Sequence, residues 1–102
     1  MDYVFAPMPV QSLPVADETR RFALRRIFCV GRNYPDHIRE MGFQPEREPP
    51  FFFTKPVDAL VQDGETVAYP PLTENFHHEA ELVIAIGKAG ANVAVERALD
   101  HV

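Results

Sequence analysis

The chain has one cysteine, Cys29, among its 102 residues, so an internal disulfide is excluded and a reducing compartment is expected. Positive charge is also short: ten Lys and Arg stand against fifteen Asp and Glu, for a net charge of -5. That balance argues against nucleic acid or an anionic membrane as partner and suits a cation such as a metal better. No run approaches the ~20 apolar residues that a membrane helix requires. The opening MDYVFAPMPV lacks a basic n-region, and Pro7 and Pro9 break it before the apolar part of a secretory signal can form. A cytoplasmic chain is the expectation. Internal repeats, low-complexity tracts and a dividing linker are all absent, and the length allows one domain at most.

What is present belongs to a globular protein: 46% of residues are hydrophobic, 11% aromatic and 25% charged. Ten prolines against five glycines predict many turns, strand ends and extended segments. Residues 3–15, YVFAPMPVQSLPV, read as an extended arm, because Pro7, Pro9 and Pro14 exclude a regular helix. ADETRRFALRR, with Glu18, Arg20, Arg21, Arg25 and Arg26, reads as a solvated turn or as an anion-binding patch. RIFCVG (26–31) is a β-branched and aromatic run ended by glycine, which predicts a strand with Cys29 as a small buried hydrophobe. In RNYPDHIREMG a short helix is expected, with Asn33 as cap, Pro35 in the first turn and Gly42 as stop, followed by a polar loop, FQPEREPP. FFFTKP (51–56), DGETVAY (63–69) and the stretch from Phe76 to Lys88 are the further strand candidates, and VERALDHV has the composition of a helix that has just started.

The run FHHEAELVIAIGK carries two carboxylates inside an otherwise apolar sequence. In a strand, His77, Glu79, Glu81, Val83 and Ala85 would share one face, and His78, Ala80, Leu82, Ile84 and Ile86 the other. Glu79 and Glu81 would then project side by side, with Cβ atoms roughly 6.5 to 7 Å apart. Like charges so placed raise each other's pKa or recruit a cation, and oxygen-only ligands favour Mg²⁺ or Mn²⁺ over zinc. The same spacing also fits the exposed polar face of an edge strand, with no role beyond solubility. His37 and Glu40 would be i and i+3 neighbours on the short helix, where a carboxylate can orient an imidazole as general base. A surface ion pair is the alternative there. Lys55, at a strand end before Pro56, is either a contact for a substrate carboxylate or simply solvated.

Taken in order, GRNYPDHIREMG, PPFFFTKP, HHEAELVIAIGK and ALDHV resemble the fumarylacetoacetate hydrolase family, whose metal-dependent members cleave or isomerise β-diketo acids and related 2-oxo acids. The resemblance runs from Tyr3 onward, and the opening and REPPFFFTKP are most similar to the branch that hydrolyses fumarylpyruvate. It implies an α+β, mostly β fold: a mixed β-roll of the family's C-terminal-domain type, of which residues 1–102 form the N-terminal portion, cut short. It further implies Glu79 and Glu81 as ligands of Mg²⁺ or Mn²⁺, His37 and Glu40 as the catalytic pair, and Lys55 in a supporting role. The substrate class implied is a small 2-oxo or diketo acid, the reaction hydrolysis of a C–C bond in an acylpyruvate, and the assembly a homodimer. A third metal ligand, an Asp, would follow the ALDHV segment. An isomerase or decarboxylase of the same family, or a catalytically silent metal-binding or oligomerising module, are the alternative expectations.

Overall fold

The computed structural model describes residues 1–42, 44 and 49–102, and only the backbone of Pro35, His37 and Ile38. Contacts divide the chain into two units, Met1–Val67 and Ala68–Val102. The polar loop expected at 43–50 lies largely outside the described residues.

In the first unit, β1 (Ser12–Pro14) pairs antiparallel with β2 (Arg21–Ala23), with Leu13 opposite Phe22. The solvated turn expected between them forms: Asp17 takes φ 57°, and Glu18 Oε1 accepts the backbone N–H of Thr19 at 3.1 Å and of Arg20 at 3.3 Å. The flanks differ from the expectation, because the end of the arm and the Arg-rich stretch find each other as ladder partners. Pro14 is tolerated because it sits at a strand end, where a missing N–H costs little. Arg21 reinforces the pairing by donating from Nε to Ser12 Oγ at 2.8 Å and from Nη2 to the Ser12 carbonyl at 2.9 Å. Gln62 Nε2 donates to that same carbonyl at 2.8 Å, which ties residue 62 to the hairpin.

Strand β3 (Ile27–Gly31) pairs antiparallel with β4 (Phe51–Lys55), in a register that runs from Ile27 opposite Lys55 to Gly31 opposite Phe51. Both strands lie where β-branched and aromatic runs predict them. Alternation puts Ile27, Cys29 and Gly31 on one face with Phe51, Phe53 and Lys55. The Phe51 and Phe53 rings lie 6.0 Å apart on that face, and the Phe51 ring occupies the space that a Cβ on Gly31 would need. Cys29 is half-buried there rather than fully enclosed.

Helix α1 (Pro35–Glu40) follows β3 and opens on its proline, as a missing N–H allows in a first turn. It stops at Gly42, whose φ of 85° suits only glycine well and whose N–H reaches the Arg39 carbonyl at 2.9 Å. After β4, Pro56 leads into a 3₁₀ turn at Val57–Ala59.

The strand expected at 63–69 does not form. Its Asp-Gly signal instead closes a local turn, in which the Gln62 N–H donates to Glu65 Oε2 at 2.8 Å and the Glu65 N–H to the Gln62 carbonyl at 3.1 Å. Nor is the stretch from Phe76 to Lys88 a strand: it belongs to neither of the two ladders among the described residues. Its apolar side chains are correspondingly exposed, Leu82 by 86% and Ile84 by 56%. The expected helix start at the end of the chain is a 3₁₀ helix, Val95–His101, with no side-chain cap at Ala94 to nucleate an α-helical turn.

The fold is therefore α+β and mostly β, as expected, with four short strands and one α-helix among the described residues. None of the described side chains is fully buried, so ladders, turns and side-chain hydrogen bonds carry most of the order.

Candidate metal and acid–base site

Glu79 and Glu81 lie in the second unit, both exposed, two positions apart on a segment that belongs to no strand. Their donor set is oxygen only, which fits a hard divalent cation. Among the described residues no third carboxylate, imidazole or thiolate joins them into a cluster of three.

The segment is anchored at both ends. Ahead of it, the Tyr69 hydroxyl accepts the Phe76 N–H at 3.3 Å, Thr73 Oγ1 accepts the Asn75 N–H at 3.0 Å, and His77 Nε2 bonds to Asn75 Oδ1. Behind it, the N–H groups of Gly87 and Lys88 both donate to the His101 carbonyl, at 2.8 and 3.2 Å.

Glu40 and the backbone of His37 belong to α1 in the first unit, one helical turn apart. The imidazole of His37 lies outside the described residues, and Glu40 is exposed. Also on α1, Arg39 Nη1 donates to Asp36 Oδ1 at 3.0 Å.

Lys55 ends β4 and lines an open cleft of about 520 Å³ with Arg25, Arg26 and Thr54. The Arg26 guanidinium also stands over the Phe28 ring at 5.8 Å. Three cations thus stand together at one end of a hairpin, in a chain whose net charge is -5. The sequence leaves an anion-binding patch open for Arg20, Arg21, Arg25 and Arg26 together, but does not join Arg25 and Arg26 to Lys55, since that needs the β3–β4 register. Tyr69 and His101 were missed as anchors, and only their bonds to residues well removed in sequence mark them.

Residues 26–102 match the family model described as the fumarylacetoacetate (FAA) hydrolase C-terminal domain. The chain belongs to the fumarylacetoacetate hydrolase family. It is similar to the crystal structure of fumarylpyruvate hydrolase from Pseudomonas aeruginosa in complex with Mn²⁺ and pyruvate, at 52% identity and a TM-score of 0.90 over 98% of this chain and 45% of that one. Among curated relatives, the mitochondrial oxaloacetate tautomerase FAHD1 of Bos taurus is 44% identical over 78 residues, 76% of this chain and 35% of the relative. The mitochondrial oxaloacetate decarboxylase of Dictyostelium discoideum is 42% identical over 79 residues, 76% of this chain and 36% of the relative. The chain thus spans less than half the length of these family members. Among the described residues no helix is long and apolar enough to cross a membrane.

Proposed function

We propose that this chain supplies the metal-binding glutamates and the acid–base pair of a metal-dependent acylpyruvate hydrolase that converts fumarylpyruvate to fumarate and pyruvate. The observation that carries this reading is the 52% identity and 0.90 TM-score, over 98% of the chain, to a fumarylpyruvate hydrolase solved with Mn²⁺ and pyruvate. Glu79 and Glu81 would hold Mg²⁺ or Mn²⁺. When bound, such an ion supplies Lewis-acid polarisation at the 2-oxo acid end of the substrate.

The chain's own residues do the rest. His37, oriented by Glu40, takes a proton from water, and the hydroxide so formed adds to the distal keto carbon. The C–C bond then breaks, releasing fumarate and leaving its electron pair on the pyruvate fragment as an enolate, which His37 can protonate to pyruvate. Lys55, with Arg25 and Arg26 beside it, offers positive charge to a substrate carboxylate. A homodimer and a cytoplasmic location belong to the same proposal.

A second reading is favoured by the curated relatives: oxaloacetate tautomerisation or decarboxylation at the same glutamates. The deciding experiment compares Mn²⁺-dependent turnover of fumarylpyruvate, followed by loss of its enol absorbance, with turnover of oxaloacetate. Fumarylpyruvate turnover that vanishes in Glu81→Ala supports the hydrolase. Faster turnover of oxaloacetate overturns it in favour of the second reading.

A further inference from the structure

The segment carrying Glu79 and Glu81 ends at Gly87 and Lys88, whose two N–H groups share the carbonyl of His101. The side chain of His101 returns the bond, with Nδ1 2.9 Å from the Lys88 carbonyl oxygen. A carbonyl only accepts, so Nδ1 carries the proton whether the ring is neutral or charged. One residue thus makes three hydrogen bonds to one dipeptide, across thirteen positions of sequence.

Two further observations single out this contact. His101 is half-buried, whereas every residue from Glu74 to Asp100 is exposed. Its ring also fills the space above Gly90, where a Cβ would lie 2.9 Å from Nδ1 and 2.8 Å from Val93 Cγ2, closer than packed atoms approach. The ring lines an open cavity of about 190 Å³ with Ile86, Lys88, Gly90, Val93 and Ala98.

We infer that His101 is a positioning residue for Glu79 and Glu81, acting through the Lys88 carbonyl. The role rests on the reading of those glutamates as metal ligands. Tyr69 and Phe76 hold the near end of the segment, and His101 holds the far end. A segment fixed at both ends loses less conformational freedom when its two carboxylates converge on a cation, so affinity rises without any added ligand.

The test uses the full chain, with two readouts: amide hydrogen exchange at Gly87 and Lys88 without metal, and Mn²⁺ titration. His101→Ala should lower protection at both amides and weaken Mn²⁺ binding by about tenfold, the scale seen for groups that support metal ligands indirectly. His101→Asn keeps an N–H near the Nδ1 position and should restore both. Gly90→Ala, which displaces the ring without removing it, should reproduce the losses and serves if His101→Ala does not fold. Unchanged Mn²⁺ affinity in His101→Ala and Gly90→Ala overturns the inference, as does a His101→Asn protein as weak as His101→Ala. A wild-type chain that takes up no Mn²⁺ overturns the metal reading and the positioning role with it. In that case the exchange data still show whether the His101 contact holds the loop.

Discussion

The hydroxyl of Tyr69 accepts the amide N–H of Phe76 at 3.3 Å, and the two rings meet edge to face with centroids 5.5 Å apart. The turn that delivers the glutamate-bearing segment is therefore held by a polar and an apolar contact between the same two residues. Tyr69→Phe removes only the polar one and should raise exchange of the Phe76 amide. Phe76→Ala removes the ring pair, worth about 0.5 to 1.5 kcal/mol, and should lower the urea midpoint as well. Equal exchange at Phe76 in wild type and Tyr69→Phe would dismiss the hydroxyl as an anchor.

Gly31 and Phe51 face each other across β3 and β4 with no room for a methyl group. Gly31→Ala should push the Phe51 ring away from Phe53 and from the Arg32 guanidinium, which stands 5.6 Å from its centroid. The expected cost is about 1 kcal/mol. In a Phe51→Ala background the same change should cost much less, so a double-mutant cycle read by urea denaturation checks the contact.

Arg20 Nη2 donates to Glu18 Oε2 at 2.6 Å, and this bond, helped by the Arg20 and Thr19 amides, holds the Glu18 carboxyl below its ordinary value of 4.5. A carboxyl depressed in the folded state favours folding at pH above the unfolded value, and that contribution is lost as pH falls through the folded one. Stability should thus decline on the acid side of 4.5 less steeply in Glu18→Gln than in wild type. Both groups are exposed, so the difference should be small and should shrink further in ~0.5 M salt. Thermal midpoints across an acid titration at two salt concentrations are the check.

The run Leu82-Val83-Ile84-Ala85-Ile86 is β-prone and exposed, with Val83 at 82% and Ile86 at 58%. Such a run adds strands readily, either to another copy or to any free edge. Light scattering of the isolated chain should rise with concentration, and Ile84→Lys should suppress the rise. Scattering that is the same in both proteins would place association elsewhere.

His37→Ala should leave Mn²⁺ affinity unchanged and abolish turnover, whereas Glu79→Ala should lose the metal and the turnover together. Titration and assay on the same preparations separate the two roles. Retained turnover in His37→Ala would remove that residue from the mechanism.

Local chemistry was enough to place β3, β4 and α1: β-branched and aromatic runs ended by Gly31 and Pro56 read as strands, and Pro35 and Gly42 bracket a helix whatever surrounds them. The same holds for the family, since the spacing of Glu79 and Glu81 and the order of the motifs are properties of the chain alone. Alternation in Phe76–Lys88 was misleading for a physical reason. A period of two records which side chains would share a face, but a strand exists only when another backbone supplies its hydrogen bonds.

Tertiary structure alone decided the non-local hydrogen bonds of Ser12 with Arg21 and Gln62 and of His101 with Lys88, and the placing of Lys55 on the same cleft as Arg25 and Arg26. Each joins residues whose own neighbourhoods carry no sign of the partner, because a hydrogen bond depends on where two groups meet in space and periodicity reports only one chain segment at a time.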